Sequence, residues 1–232
     1  MNLLALDSST KTFSLAVAQD TKIIKSRNVR LKGVLSSSIM PRVDRILKDA
    51  GLTLRQVDGF VLGRGPGSFT SLRVGVTTLK SLAYAMQKPL VSFSSLDAIA
   101  LNLKVTGPQR LAVMVDARRQ KVYACLYQRR GKRLIRKTSY LLVPIQAFLD
   151  RIDTDVCFAG DGLHLYGPVV REWADRRKDK ARTFFAAPKD WVPKAANLIP
   201  MGWERLRAGR SDHLDRLEPL YLYPKECQVV RS

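Results

Sequence analysis

The chain opens on a continuous apolar run, "LLALD" at 3–7, then a polar turn of Ser8, Ser9 and Thr10, then a second run, "FSLAVA" at 13–18. Unbroken apolar stretches of this length suit central strands covered on both faces. A third strand is expected near 21–27. A helix follows at about 36–49, with Ile39, Val43, Ile46 and Leu47 on its inner stripe, Pro41 near its first turn and Gly51 as its stop. "DGFVLG" (58–63) reads as another buried strand, "RGPGSF" as a tight loop, and 70–86 as a helix with Leu72, Val76, Leu79, Ala83 and Met86 on one stripe. "PLVSF" (89–93) is the next strand, and Ser94 or Ser95 caps a helix from Leu96. Strands alternating with helices predict an α/β layer fold.

The opening motif repeats. "LLALDSSTKTFSLAVA" (3–18) has a counterpart in "AVMVDARRQKVYACLY" (112–127), which without gaps aligns Asp7 with Asp116, Phe13 with Val122 and Val17 with Leu126. Two matched strand–turn–strand units imply two similar lobes. The boundary is expected in "KVTGPQR" (104–110), dividing the chain into 1–105, with the helices at 36–49 and 70–86, and a second, basic lobe at 106–232. That lobe continues with a strand in the 130s, a helix near 144–151, "VCFAGDG" (156–162) as strand and turn, and a helix at 163–177. A last helix near 193–207 is expected to bend at Pro200, and "LEPLYLYP" (217–224) to lie extended on the surface.

Charge changes this picture. Lys and Arg number 40 against 20 Asp and Glu, a net +20 with pI near 10.3. Such an excess attracts polyanions, nucleic acid first, unless it is background without ligand meaning. It is densest at 110–137, with ten basic residues against Asp116 alone. Arg118, Arg119, Arg129, Arg130, Lys132 and Arg133 are the candidate contacts to nucleic-acid phosphates. The three cysteines lack a CxxC and fit a reduced, cytoplasmic chain. No apolar run reaches the ~20 residues of a membrane helix, and the N-terminus reads as a strand, not a signal peptide.

The chemistry is sparse. "GRGPGSFTSLRVG" (63–75) places a rigid glycine-rich loop between a strand and a helix; its amides either hold an anion or pack the helix closely on the strand. Asp7 and Ser8, with Gly65, Gly67, Ser68 and Thr70, form a candidate anion or nucleotide loop resembling the hairpin of actin-like ATPases and sugar kinases. With Asp116 the set suggests an ATP-dependent phosphotransferase as the alternative reading. The two histidines, His164 and His213, are isolated and no metal motif is present. Ser68 has no nucleophile elbow. On the helix at 70–86, Ser71, Gly75 and Thr78 form a small-residue face widened by Val74 and Leu82, so that the helix is either interior or part of a protein interface.

Taken in order, "LALDSST", "GRGPGSFTSLRVG", "VDARRQKVYACLY", "AGDG", "VPKAANLIP" and "LEPLYL" resemble the TsaB (YeaZ) family from Leu4 to Tyr223. The resemblance implies a two-lobed actin-like/ribonuclease-H-like (ASKHA) fold with a degenerate second lobe. It implies a non-catalytic subunit that binds TsaD in threonylcarbamoyl transfer to adenosine 37 of ANN-decoding tRNAs. It further implies TsaE at the junction, a homodimer when TsaD is absent, and no cofactor of its own, the ATP and the metal ion being held by partner subunits. Carried over by position, the interface falls on Ile39, Met40, Val43 and Leu47, and on Leu72, Arg73, Val76, Leu79 and Lys80. Three departures stand out: Ser71 in place of the usual glycine, "GVLSSS" where a histidine is frequent, and Lys121 where an acid often precedes Val-Tyr.

Overall fold

A computed structural model describes residues 1–31, 33–103, 110–131 and 133–223. The chain forms two units: Met1–Ala98 with Pro193–Leu220, and Ile99–Val192 with the segment from Tyr221. Most of the expected lobe boundary, 104–109, lies outside the described residues.

In the first unit, β1 (Asn2–Asp7), β2 (Thr12–Gln19) and β3 (Lys22–Arg30) form an antiparallel meander. β4 (Gly59–Gly63) and β5 (Leu90–Phe93) add in parallel beyond β1, giving the order β3-β2-β1-β4-β5. One sheet face, with Leu4, Leu6, Phe13 and Leu62, is covered by α1 (Leu35–Asp49) and α2 (Phe69–Ala85). Both helices turn their expected stripes inward: Ile39, Val43, Ile46 and Leu47, then Leu72, Val76, Leu79 and Ala83, are buried. Each such leucine contributes about 2 kcal/mol by burial. Pro41 sits in the second turn of α1 because the helix starts at Leu35. Ser94 Oγ accepts from Leu96 N–H at 3.2 Å and caps α3 (Ser95–Ala100).

The opposite face settles one expectation differently. The C-terminal helix belongs to the first unit, not the second. After a 3-10 turn at Ala195–Leu198, α6 (Ile199–Arg207) packs Ile199 and Leu206 with Leu3, Ala5, Val61 and Val91. Pro200 lies in its first turn and starts the helix, since its fixed φ suits that position. Leu217 is buried in the first core, so the start of the following segment is anchored and does not merely lie on the surface.

In the second unit, β6 (Arg110–Asp116), β7 (Lys121–Arg130) and β8 (Arg133–Arg136) again form a meander, with β10 (Val156–Ala159) and β11 (Thr183–Phe185) parallel beyond β6. The order β8-β7-β6-β10-β11 duplicates the first sheet, an arrangement of the actin-like/ribonuclease-H-like class. β9 (Leu141–Pro144) pairs with the other half of β7, and α4 (Ile145–Leu149) and α5 (Leu163–Asp175) pack on the sheet face carrying Ala112, Met114 and Phe158.

The duplication corrects the ungapped alignment by one residue. Phe13 and Val122 do correspond, both lying on the helix-covered face. Asp7, however, pairs with Ser14 and so shares the face of Ala5, whereas Asp116 pairs with Val122 on the face of Met114. Between equivalent cross-strand pairs, Leu6 with Leu15 and Met114 with Ala124, the second hairpin is one residue longer, and the two aspartates point to opposite faces of their sheets.

Candidate functional site

The glycine-rich loop and the first hairpin meet as expected, but as a packed junction. Asp7, Ser8, Ser9 and Thr10 are all buried. Ser68 N–H, which an anion at this loop would need, donates to Ser9 O at 2.7 Å. Ser8 Oγ donates to Ser71 O at 2.8 Å, and Gly65 N–H to Ser95 Oγ at 3.0 Å. The approach is so close that a Cβ on Gly63 would lie 1.9 Å from Asp7 Oδ2, and one on Gly75 2.1 Å from Ser8 Oγ. Asp7, Ser8, Gly65, Gly67 and Ser68 are therefore brought together while the cradle is filled by the chain's own backbone; Thr70 is exposed. Asp7 Oδ1 accepts from Ser9 N–H and Oγ at 2.9 and 2.7 Å, while Oδ2 is buried without a well-formed hydrogen bond. Burial pushes the carboxyl up to about 6, against the opposing pull of the Ser95 hydroxyl and of the Ser9 N–H and hydroxyl.

The carried-over interface needs a larger correction. Ile39, Val43, Leu47, Leu72, Val76 and Leu79 are at most 3% exposed, all but Leu72 within the first core, and so present no surface to a partner. Met40 and Lys80 are half-buried and Arg73 is exposed. What the two helices present outward is a groove of about 650 Å³ lined by Ser36 and Met40 of α1 and by Arg73, Val74, Thr77, Thr78, Ser81, Leu82 and Ala85 of α2. Arg73 is its only charged group among the described residues, and its guanidinium lies 3.9 Å from the centre of the Phe69 ring. The small-residue face also splits. Ser71 and Gly75 pack toward the first hairpin, and Thr78 lines the groove. The hydroxymethyl of Ser71, which accepts from Ser68 Oγ at 3.2 Å, is therefore outside the groove lining. Spacings of four at 73-77-81-85 and 74-78-82 were the signal for this flank; Thr77, Ser81 and Ala85 escaped notice because small polar residues leave no hydropathy stripe.

The basic candidates do not form one patch. Arg118 and Arg119 occupy the β6–β7 turn and Arg129, Arg130 and Arg133 the opposite end of β7, about 30 Å away along an extended strand. Arg118, Arg119 and Gln120 hold φ of 64°, 51° and 58°, the left-handed region, with Arg118 N–H donating to Asp116 Oδ1 at 2.8 Å. Arg130 and Arg133 are exposed cross-strand partners. Arg129 is half-buried, its Nη2 donates to Ala100 O at 3.4 Å, and burial pulls its pKa down. Lys132 lies outside the described residues.

Among the described residues no three His, Cys, Asp or Glu side chains cluster as metal ligands, and no helix is long and apolar enough to cross a membrane. His164 packs edge-on against Trp191 with centroids 4.9 Å apart.

The sequence profile of one family, TsaD, tRNA N6-adenosine threonylcarbamoyltransferase, matches residues 34–223. TsaB, the tRNA threonylcarbamoyladenosine biosynthesis protein of Bacillus subtilis (strain 168), is 29% identical over 99% of this chain and 97% of its own length. The Escherichia coli (strain K12) protein of the same name is 25% identical over 96% of this chain and 94% of its own. The chain belongs to the TsaD family, on its TsaB side. Solved structures agree. YeaZ from Pseudomonas aeruginosa superimposes with a TM-score of 0.75 at 26% identity, covering 95% of this chain and 99% of that one. A second Pseudomonas aeruginosa structure, described as similar to peptidase YEAZ, reaches 0.78 at 27% identity over 96% and 99%. This TsaB-type relationship spans both units.

Proposed function

We propose that this chain is the non-catalytic scaffold of tRNA threonylcarbamoyladenosine synthesis, binding and ordering TsaD so that TsaD transfers the threonylcarbamoyl group to adenosine 37. The observation that carries the reading is the α1–α2 groove: broad, shallow and uncharged except for Arg73, with Met40, Val74 and Leu82 offering apolar area and Thr77, Ser81 and Ala85 allowing a facing helix to come close. The same groove would hold a second copy of the chain in the absence of TsaD, and TsaE would join at the TsaD junction. The scaffold role is supported by the first hairpin, whose amides and hydroxyls already bind one another, a state that opposes the phosphotransferase reading. The ATP and the metal of the assembly then belong to partner subunits. tRNA phosphates would meet Arg130 and Arg133 at one end of β7 and Arg118 and Arg119 at the other.

The test substitutes exposed groove positions. Thr77→Arg with Ser81→Arg leaves the core untouched and places two long cations in the contact. Sizing chromatography of the variant with purified TsaD should show separate subunits where the wild type co-elutes. Co-elution of the variant would remove the groove from the interface. Bulk tRNA from cells carrying the variant should lose the modified adenosine, measured by mass spectrometry.

A further inference from the structure

The other flank of α1 carries a second recess, distinct from the TsaD-facing groove. Phe13 pairs with Val29 and Leu15 with Arg27 across β2 and β3, which puts all four on the sheet face beneath α1. Ser38, Pro41, Arg42 and Arg45 of α1 close the other side of a cleft of about 420 Å³, within the size range of small-molecule sites. Its floor is apolar and aromatic, and its walls carry three guanidinium groups.

The donors are unevenly used. Asp49 takes Arg27 Nη2 on Oδ2 at 2.7 Å and Arg45 Nε on Oδ1 at 3.1 Å, and Arg27 first, then Arg45, hold its carboxyl below the usual range. One carboxylate thus stands against three cations. Arg42 Nε is buried and has no hydrogen-bond partner among the described residues. A buried guanidinium N–H without an acceptor is costly, whereas an anion beside an apolar wall satisfies it and gains contact area at once.

We infer that the α1–β3 cleft binds an amphipathic organic anion. Its apolar body lies against Val29 and Pro41, over the buried Phe13 and Leu15, and its carboxylate or phosphate accepts from Arg42 and from the unused N–H groups of Arg27 and Arg45. Asp49 acts as an internal competitor, holding two of the three arginines until the ligand arrives. The site stands apart from the TsaD groove, because residues 38, 41, 42 and 45 lie on one flank of α1 and residues 36 and 40 on the other.

The full chain, ¹⁵N-labelled, is titrated with sodium octanoate and, separately, with phenyl phosphate, octanol and inorganic phosphate. Octanoate or phenyl phosphate should shift the amides of Val29, Ser38 and Arg42 saturably, leaving Thr77 and Ser81 in place; whichever binds more tightly identifies the head group. Arg42→Gln should weaken binding about tenfold, the worth of one charge-assisted hydrogen bond. Asp49→Asn should tighten it severalfold, a gain that damage to the fold cannot produce. Octanol binding as tightly as octanoate, inorganic phosphate binding as tightly as phenyl phosphate, shifts confined to the α2 groove, no saturable shift, or unchanged affinity in both variants would each overturn the inference.

Discussion

Asp7→Asn tests the closed hairpin most directly. The Asp7 carboxyl is fully buried and its pKa is raised from 3.8 to about 6. A group whose folded pKa exceeds its unfolded value binds more protons when folded, so stability falls as pH rises between the two values and is flat above them. The window is therefore pH 3.8 to about 6. At about 1.4 kcal/mol per pKa unit, the ionised carboxylate costs the folded state about 3 kcal/mol at neutral pH. Asparagine resembles the protonated acid. It keeps an acceptor for Ser9 N–H and Oγ and puts an uncharged amide where Oδ2 has no well-formed partner. The variant should be about 1–3 kcal/mol more stable than wild type at pH 7.5, a rise of roughly 3–10 °C in Tm for a chain of this size. The two should converge below pH 4. Thermal unfolding followed by circular dichroism across pH 4 to 8 reads this out. A variant less stable at pH 7.5, or a gap independent of pH, would refute the reasoning, because the charge would then have a partner that the hairpin does not reveal.

Gly75→Ala places a methyl 2.1 Å from Ser8 Oγ; the clash should outweigh the helix-propensity gain and cost about 1–3 kcal/mol in denaturant unfolding. Thr77→Arg with Ser81→Arg should leave Tm within about 1 °C of wild type, since both positions are exposed, while abolishing association with TsaD on a sizing column. Arg130→Ala with Arg133→Ala should lower the slope of log affinity against log salt for tRNA by about 1–2; a slope equal to wild type would remove this end of β7 from the RNA surface.

Helix and strand order was legible because each element's own core face was written in its spacing, as with Ile39, Val43, Ile46 and Leu47 on α1. The interface residues carried over from the resemblance fell largely on these same stripes. Apolar periodicity marks what a helix hides from water, so Leu72, Val76 and Leu79 were already buried within the first unit. The exposed flank carries Thr77, Ser81 and Ala85, which are selected for size and leave no hydropathy pattern. The position of α6 was unreadable for another reason: an apolar stripe fits any sheet face, and its partner strands lie far earlier in the chain, at Leu3, Val61 and Val91. The aligned aspartates misled because a one-residue difference in turn length moves a side chain to the other face without altering the surrounding apolar pattern.

The splitting of the first unit between the two ends of the chain sets an order of birth. As the ribosome releases the polypeptide from its N-terminus, the five strands of the first sheet emerge early, yet the wall formed by Ile199 and Leu206 against Leu3, Ala5, Val61 and Val91 follows only after residues 99–192 of the second unit. The region begun first thus waits for most of the other unit to be made. Until then, one side of that early sheet stays greasy and uncovered, a surface for nascent-chain chaperones to shield.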